Sequence, residues 1–247
     1  MKNELAKIQR KALRYIQTQQ NPATPLKFRG QTMLGLSTEI GMIPISRQVG
    51  PSGAWSKAYL SFVDEQPTVF IETSVGLDDS IDLSKDILVA INEQGTYPHI
   101  PIIEYFGIGQ NGTKIYKMPL YNTEAEWELI ARYEDVIKIL RQATDEWYMV
   151  MPNQEREVYA SGGVWDDETM NKLKRKYFIK YLERHESYFL SQKDNETLVS
   201  IIQDLKVMNE FLNDNDLSYY FEFPIRNLAL DGNKQLILLD VLYPEQW

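Results

Sequence analysis

The sequence predicts an α+β fold in two lobes, and three observations carry that expectation. From Phe28 to about Thr73, short β-branched and aromatic runs are separated by glycines and other turn residues, the texture of antiparallel strands. After Tyr121 the apolar spacing changes to the 3.6-residue period and keeps it as far as residue 213. Behind that, two apolar runs flank Asp231-Gly232-Asn233, a hairpin signal of the Asp-Gly kind. Strands gathered first and helices afterwards argue for segregated layers, not alternating βαβ units.

The elements follow in order. Leu5, Ile8, Leu13 and Ile16 sit among basic residues and predict an amphipathic helix over 4–18, broken by "NPATP". The strand-rich stretch comes next. In "DDSIDLSKDILVAINEQG", Ile81, Lys85, Leu88 and Ile91 fall near one face, with acidic residues at the start and Gly95 as a stop. A helix over 81–93 is expected there. "PIIEYFGIG" and "TKIYKMPLY" read as two further strands joined by Gln110-Asn111-Gly112. Helical periodicity marks 123–147, 166–190 and 195–213, with "PNQEREVYASGG" as a loop between the first two. The last helix is the clearest, because Leu198, Ile201, Ile202, Leu205, Met208 and Leu212 form one stripe behind Asp194 and Asn195 as capping residues. A hinge at "PLYNT" divides an N-terminal lobe of residues 1–120 from a helical C-terminal lobe of residues 121–247 that ends in the hairpin.

Composition closes several routes. The 247 residues hold no cysteine, which removes disulfides, thiolate metal sites and cysteine nucleophiles and suits a reducing cytoplasm. Two histidines, His99 and His185, stand far apart, with no second histidine at metal spacing. Acidic residues number 35 against 26 basic ones, for a net charge of −9, and that balance argues against nonspecific nucleic-acid binding. No long uncharged apolar run is present, so no membrane span is expected. The first twenty residues carry charges throughout and lack the apolar core of a signal peptide. A cytoplasmic location is the expectation.

The hairpin carries the chemistry. In "EFPIRNLALDGNKQLILLD", Asn227 lies five residues after Glu222, and Asp240 lies thirteen after Asn227. With the order of elements upstream, this spacing resembles the protein-kinase-like fold, in particular small kinases encoded by short-tailed bacteriophages. Aminoglycoside phosphotransferases share the same logic of Asp, Asn and Asp. The resemblance implies a bilobal architecture, a small antiparallel-sheet lobe with one inserted helix and a helical lobe with the catalytic-type hairpin. It implies that Asn227 and Asp240 hold Mg²⁺, whose preference is for hard oxygen ligands, and that the metal bridges the phosphates of ATP. "GPSGAWSKAY" resembles a shortened phosphate-covering loop, with Gly50 and Gly53 exposing backbone N–H groups. "KIYKMPLY" is similar to the strand that enters the hinge; Met118, at the gatekeeper place, and Leu120 complete the nucleotide-binding residues that the resemblance implies.

Departures from the family pattern shape the functional reading. Glu222 stands at the place of the catalytic aspartate, behind Tyr220-Phe221, and its extra methylene displaces the carboxylate; misplacement by about 1 Å costs a reaction roughly 100-fold. The strand "TVFIETS" offers Ile71 or Glu72 where the phosphate-pairing lysine belongs, and Glu72 with Lys85 would make an inverted ion pair. Val241 follows Asp240 in place of glycine. These features predict a catalytically impaired, pseudokinase-like protein that acts by binding a protein partner, a host protein if the chain is of phage origin. Two alternatives stand beside it: an active, divergent ATP- and Mg²⁺-dependent kinase using Glu222 as base, and an unrelated α+β inhibitor or binding protein. The basic run "KLKRKYFIKY" (172–181) reads as a solvated helix face or a partner-binding patch. Trp247 is a further candidate for docking.

Overall fold

The structure is a computed structural model, and it describes residues 35–38, 41–45, 47–48, 56–63, 66–73, 83–109, 112–123, 126–162, 165–185 and 191–244. The helix expected over 4–18, the loop glycines Gly50 and Gly53, and Trp247 lie outside the described residues. Two compact units make up the chain: Met1–Val89 with Ile102–Leu120, and Ala90–Pro101 with Tyr121–Trp247.

The first unit is an antiparallel β structure. β1 (Gly35–Thr38) and β2 (Gly41–Pro44) form a separate pair. β3 (Arg47–Gln48), β4 (Ser56–Val63), β5 (Gln66–Thr73), β6 (Glu104–Ile108) and β7 (Lys114–Pro119) form a five-stranded sheet in the order β3-β4-β5-β7-β6. β5 lies centrally, and its run Thr68 to Ile71 is buried without alternation. Ile43, Ile45, Phe70 and Ile115 make the core, closed by Tyr59 and by Phe106, whose ring meets Phe70 edge-on at 5.1 Å. α1 (Ser84–Gln94) lies where a helix over 81–93 was expected and stops before Gly95; its residues up to Val89 belong to this unit and those from Ala90 to the second. Asp86 ties it to the sheet, accepting from Lys114 at 2.5 Å and from the Tyr116 hydroxyl at 2.8 Å.

The second unit is mainly helical. α2 (Glu126–Glu146) breaks at Tyr133 and runs into a 3₁₀ turn, Trp147–Val150. α3 (Asn153–Ala160) occupies a stretch whose sequence reads as a loop. It buries none of its residues, so no apolar stripe exists for periodicity to reveal. α4 (Asp167–His185) and α5 (Gln192–Asp214) pack on each other and on α2. The stripe expected on α5 is buried throughout, but the helix starts earlier than its apolar pattern. Ser191 is the cap, its hydroxyl accepting the Asp194 N–H at 3.2 Å and donating to the Asp194 carboxylate at 2.6 Å. Asp194 therefore belongs to the first turn and is not itself the cap.

Two short antiparallel pairs complete this unit. β8 (Tyr219–Phe221) pairs with β11 (Leu242–Pro244), and β9 (Leu228–Leu230) pairs with β10 (Leu236–Leu238) between them in sequence. Every residue of β9 and β10 is buried, which explains their uninterrupted apolar runs. Phe178 of α4 stacks on Phe223 at 5.2 Å and meets Phe221 at 5.8 Å, fixing the start of the hairpin region to the helices.

Candidate functional site

The site grows from the way β8 to β11 nest. The turn between β9 and β10 sets Leu228 opposite Leu238, and the Leu239 N–H reaches the Asn227 carbonyl at 2.8 Å. Asn227 thus stands just outside one strand end and Asp240 just beyond the other. Pro224 opens the 3₁₀ turn Ile225–Asn227 that delivers the asparagine, and Asn227 is nearly buried. Its side-chain NH₂ donates to the Asp240 carbonyl and, at 2.6 Å, to the Tyr243 hydroxyl. Two of the residues singled out by spacing are therefore joined directly.

Glu222 belongs to the same neighbourhood. Its N–H donates to the Val241 carbonyl at 3.1 Å, and its carboxylate accepts the Tyr220 hydroxyl at 3.1 Å. Tyr220 and Tyr243 face each other across β8 and β11, with ring centres 6.0 Å apart. Lys174 of α4 places its ammonium 4.5 Å from the centre of the Tyr220 ring. Burial, then the Glu222 carboxylate, pushes the Tyr220 hydroxyl up to about 12. Burial also raises Tyr243, helped by the charges of Asp240 and Glu222 and opposed by Arg226. Both phenols stay protonated near neutral pH and act as hydrogen-bonding groups, not as bases.

The donor set suits a hard cation. The Asn227 nitrogen is committed to two acceptors, so the oxygen is the amide atom left to ligate, and Asp240 and Glu222 supply carboxylates close by in the fold. Among the described residues no group of three or more His, Cys, Asp and Glu side chains is placed to hold a metal, so a cation here would depend on the amide.

The remaining candidates lie in the first unit. Met118 of β7 is half-buried opposite Val69 of β5, and Leu120 is exposed with its N–H donating to the Pro67 carbonyl at 3.2 Å. Glu72 accepts hydrogen bonds from the Thr113 hydroxyl at 3.0 Å and the Tyr59 hydroxyl at 3.4 Å. A strand-to-helix ion pair joins Lys114 of β7 to Asp86, and the Glu72 hydrogen bonds found among the described residues go to Thr113 and Tyr59. Sequence reasoning missed Tyr243, and it took Lys174 only as part of the basic run 172–181, not as a neighbour of the hairpin. Tyr243 enters through the pairing of two three-residue strands, and Lys174 through the rotation of a distant helix; neither leaves a local signal.

No family model and no curated protein sequence matches the chain. Among solved structures, the kinase domain of Mycobacterium tuberculosis PknI is similar over 74% of this chain and 98% of its own, at 12% identity and a TM-score of 0.32. Spectinomycin phosphotransferase in complex with ADP and spectinomycin is similar over 82% of this chain and 66% of its own, at 12% identity and a TM-score of 0.30. At TM-scores this low neither likeness assigns a fold. The chain is α+β, with a small antiparallel sheet, a mainly helical unit and a β9–β10 hairpin, and no described helix is long and apolar enough to cross a membrane.

Proposed function

We propose that the chain is a degenerate protein-kinase-like protein that acts by binding a partner protein, with phosphoryl transfer far below that of a working kinase. The observation that carries this reading is the closed network at the hairpin: Asn227 bonded to Tyr243 and to the Asp240 carbonyl, and Glu222 bonded to Tyr220. Phosphoryl transfer depends on positioning and electrostatics, so each displaced or missing group multiplies the loss. Here the candidate base is one methylene too long and already accepts a tyrosine hydroxyl. β5 carries no lysine, and Glu72 there would repel phosphates.

Nucleotide binding can outlast catalysis. Asn227 and Asp240 are the residues that would hold Mg²⁺, which supplies charge neutralisation at the nucleotide phosphates. The Asn227 amide oxygen left over by the committed NH₂, with the charges of Asp240 and Glu222 both acting on Tyr243 beside it, is the observation that favours the second reading, an active divergent kinase with Glu222 as base. Incubating the purified chain with radiolabelled ATP, Mg²⁺ and a cell lysate separates the two. The expected result is little labelling beyond that of the lysate alone, with a rise in thermal midpoint of the purified chain on adding ATP and Mg²⁺ that Asp240→Ala removes. Robust labelling that disappears in Asp240→Ala would replace the binding reading with the catalytic one.

A further inference from the structure

The basic run over 172–181 plays no part in that reading, except for Lys174 at the hairpin, and its other cations have distinct surroundings. Arg175 is completely buried. Its guanidinium donates to the Asn209 side-chain oxygen at 3.0 Å, the Asn213 side-chain oxygen at 2.8 Å, the Leu217 carbonyl at 3.4 Å and the Tyr219 carbonyl. A guanidinium has donors only, so the amide atom facing it in both asparagines is the oxygen. Planar amides then turn both NH₂ groups away from Arg175.

On α4 and α5, Lys172, Lys176, Asn209 and Asn213 line a recess of about 290 Å³ together with Leu173. Its polar side chains are two lysines and two asparagines, with the buried Arg175 charge beside them. The Lys176 ammonium lies 4.9 Å from the centre of the Tyr177 ring, a contact that leaves its N–H donors free to bond an anion. Hydrogen-bond donors converging beside a positive charge suit an oxyanion. Lys172 also pairs with Glu168 at 2.6 Å and with Asp216 at 3.4 Å. Both carboxylates are largely exposed, and exposed pairs of this kind are weak and readily exchanged.

The geometry points to a binding site for a phosphate-type oxyanion in this recess, taken as the free ion or as the phosphomonoester of a small molecule. The site shares no residue with the hairpin and stands independently of the function proposed there. The test is calorimetric titration of the full chain with inorganic phosphate, and in parallel with glycerol 3-phosphate; the tighter of the two identifies the source. Wild type binds at least one of them saturably. Lys176→Gln weakens binding about tenfold, the value of one charge-assisted hydrogen bond. Asn213→Asp keeps the oxygen that accepts from Arg175, gives that cation a counter-charge, and points the second carboxylate oxygen where the NH₂ stood. It therefore folds at least as stably as wild type and loses the anion. Lys180→Gln makes the same charge change on an exposed residue of α4 outside the recess and leaves the affinity unchanged. Absence of saturable binding to wild type overturns the proposal, as does undiminished binding by Asn213→Asp or an equal loss in Lys180→Gln.

Discussion

Arg175 shows how a single side chain constrains the packing of α4 on α5. A guanidinium removed from water must be satisfied by something, and here its acceptors are neutral: two asparagine oxygens and two main-chain carbonyls. Burial draws its pKa down to about 10, which leaves it charged at neutral pH. Replacing it by methionine relieves the desolvated charge but strands the acceptors. Asn209 and Asn213 reach the recess and can turn to water, whereas the Tyr219 carbonyl sits on a buried strand residue. Unpaired buried polar groups cost about 1–3 kcal/mol each, and the lost packing adds to that. Arg175→Met is expected to lower stability by about 3 kcal/mol, read as a lower urea midpoint at unchanged slope. A midpoint equal to that of wild type would show that the guanidinium is not needed for packing.

The hairpin is where element-scale logic departs from local sequence rules. "DGN" suggests a tight turn with glycine in the left-handed region, but the positive φ falls on Lys234 at 65°. Asp231 organises the loop instead: its carboxylate accepts the N–H groups of Asn233 at 2.8 Å and Gln235 at 2.7 Å. Lys234 is held by Tyr133, which donates to its carbonyl at 2.9 Å, and by Glu128, which accepts its ammonium at 2.9 Å. Gly232 is not in the left-handed region, and a methyl group there would meet nothing within 4 Å. Gly232→Ala should therefore stabilise the protein by about 0.4–1 kcal/mol through the unfolded chain, measurable as a raised thermal midpoint. A lowered midpoint would mean that the turn needs glycine after all. The same contrast explains what was legible in the sequence. The α5 stripe and the Asn227-to-Asp240 spacing were readable because each follows from a fixed periodicity or from the length of one turn. α3 was not, since it buries nothing, and the Tyr220–Tyr243 pairing was not, since it depends on strands too short to show a pattern.

At the scale of the whole molecule, the segment Ala90–Pro101 belongs to the second unit although the chain on either side of it belongs to the first. His99 is the anchor of that segment. Its N–H donates to Asp204 of α5 at 2.7 Å, its ring Nδ1 pairs with the Leu236 carbonyl at 2.7 Å, and its own carbonyl accepts the Leu238 N–H at 2.8 Å. A carbonyl only accepts, so Nδ1 carries the ring proton. Both ionisable groups are buried, and their effects on stability have opposite signs. Burial raises Asp204 from 3.8 to about 6, so between those values the folded state keeps a proton that the unfolded chain has released. Stability from this group is complete below the lower value and falls as pH rises to about 6, by on the order of 2–3 kcal/mol. Burial lowers His99 below 6.5, so its neutral form is favoured by folding, and stability is lost as pH falls beneath 6.5. Asp204→Asn keeps an oxygen for the His99 N–H and removes only the first effect. Its new NH₂ needs a partner, as does the hydroxyl of protonated Asp204, so the two forms are comparable in acid. The variant should match wild type near pH 4 and exceed it by about 2 kcal/mol at pH 7–8, with a gap that widens through the window between. Urea midpoints of both proteins across that range provide the measurement. Parallel curves would show that the Asp204 carboxylate carries no burial penalty in the folded state.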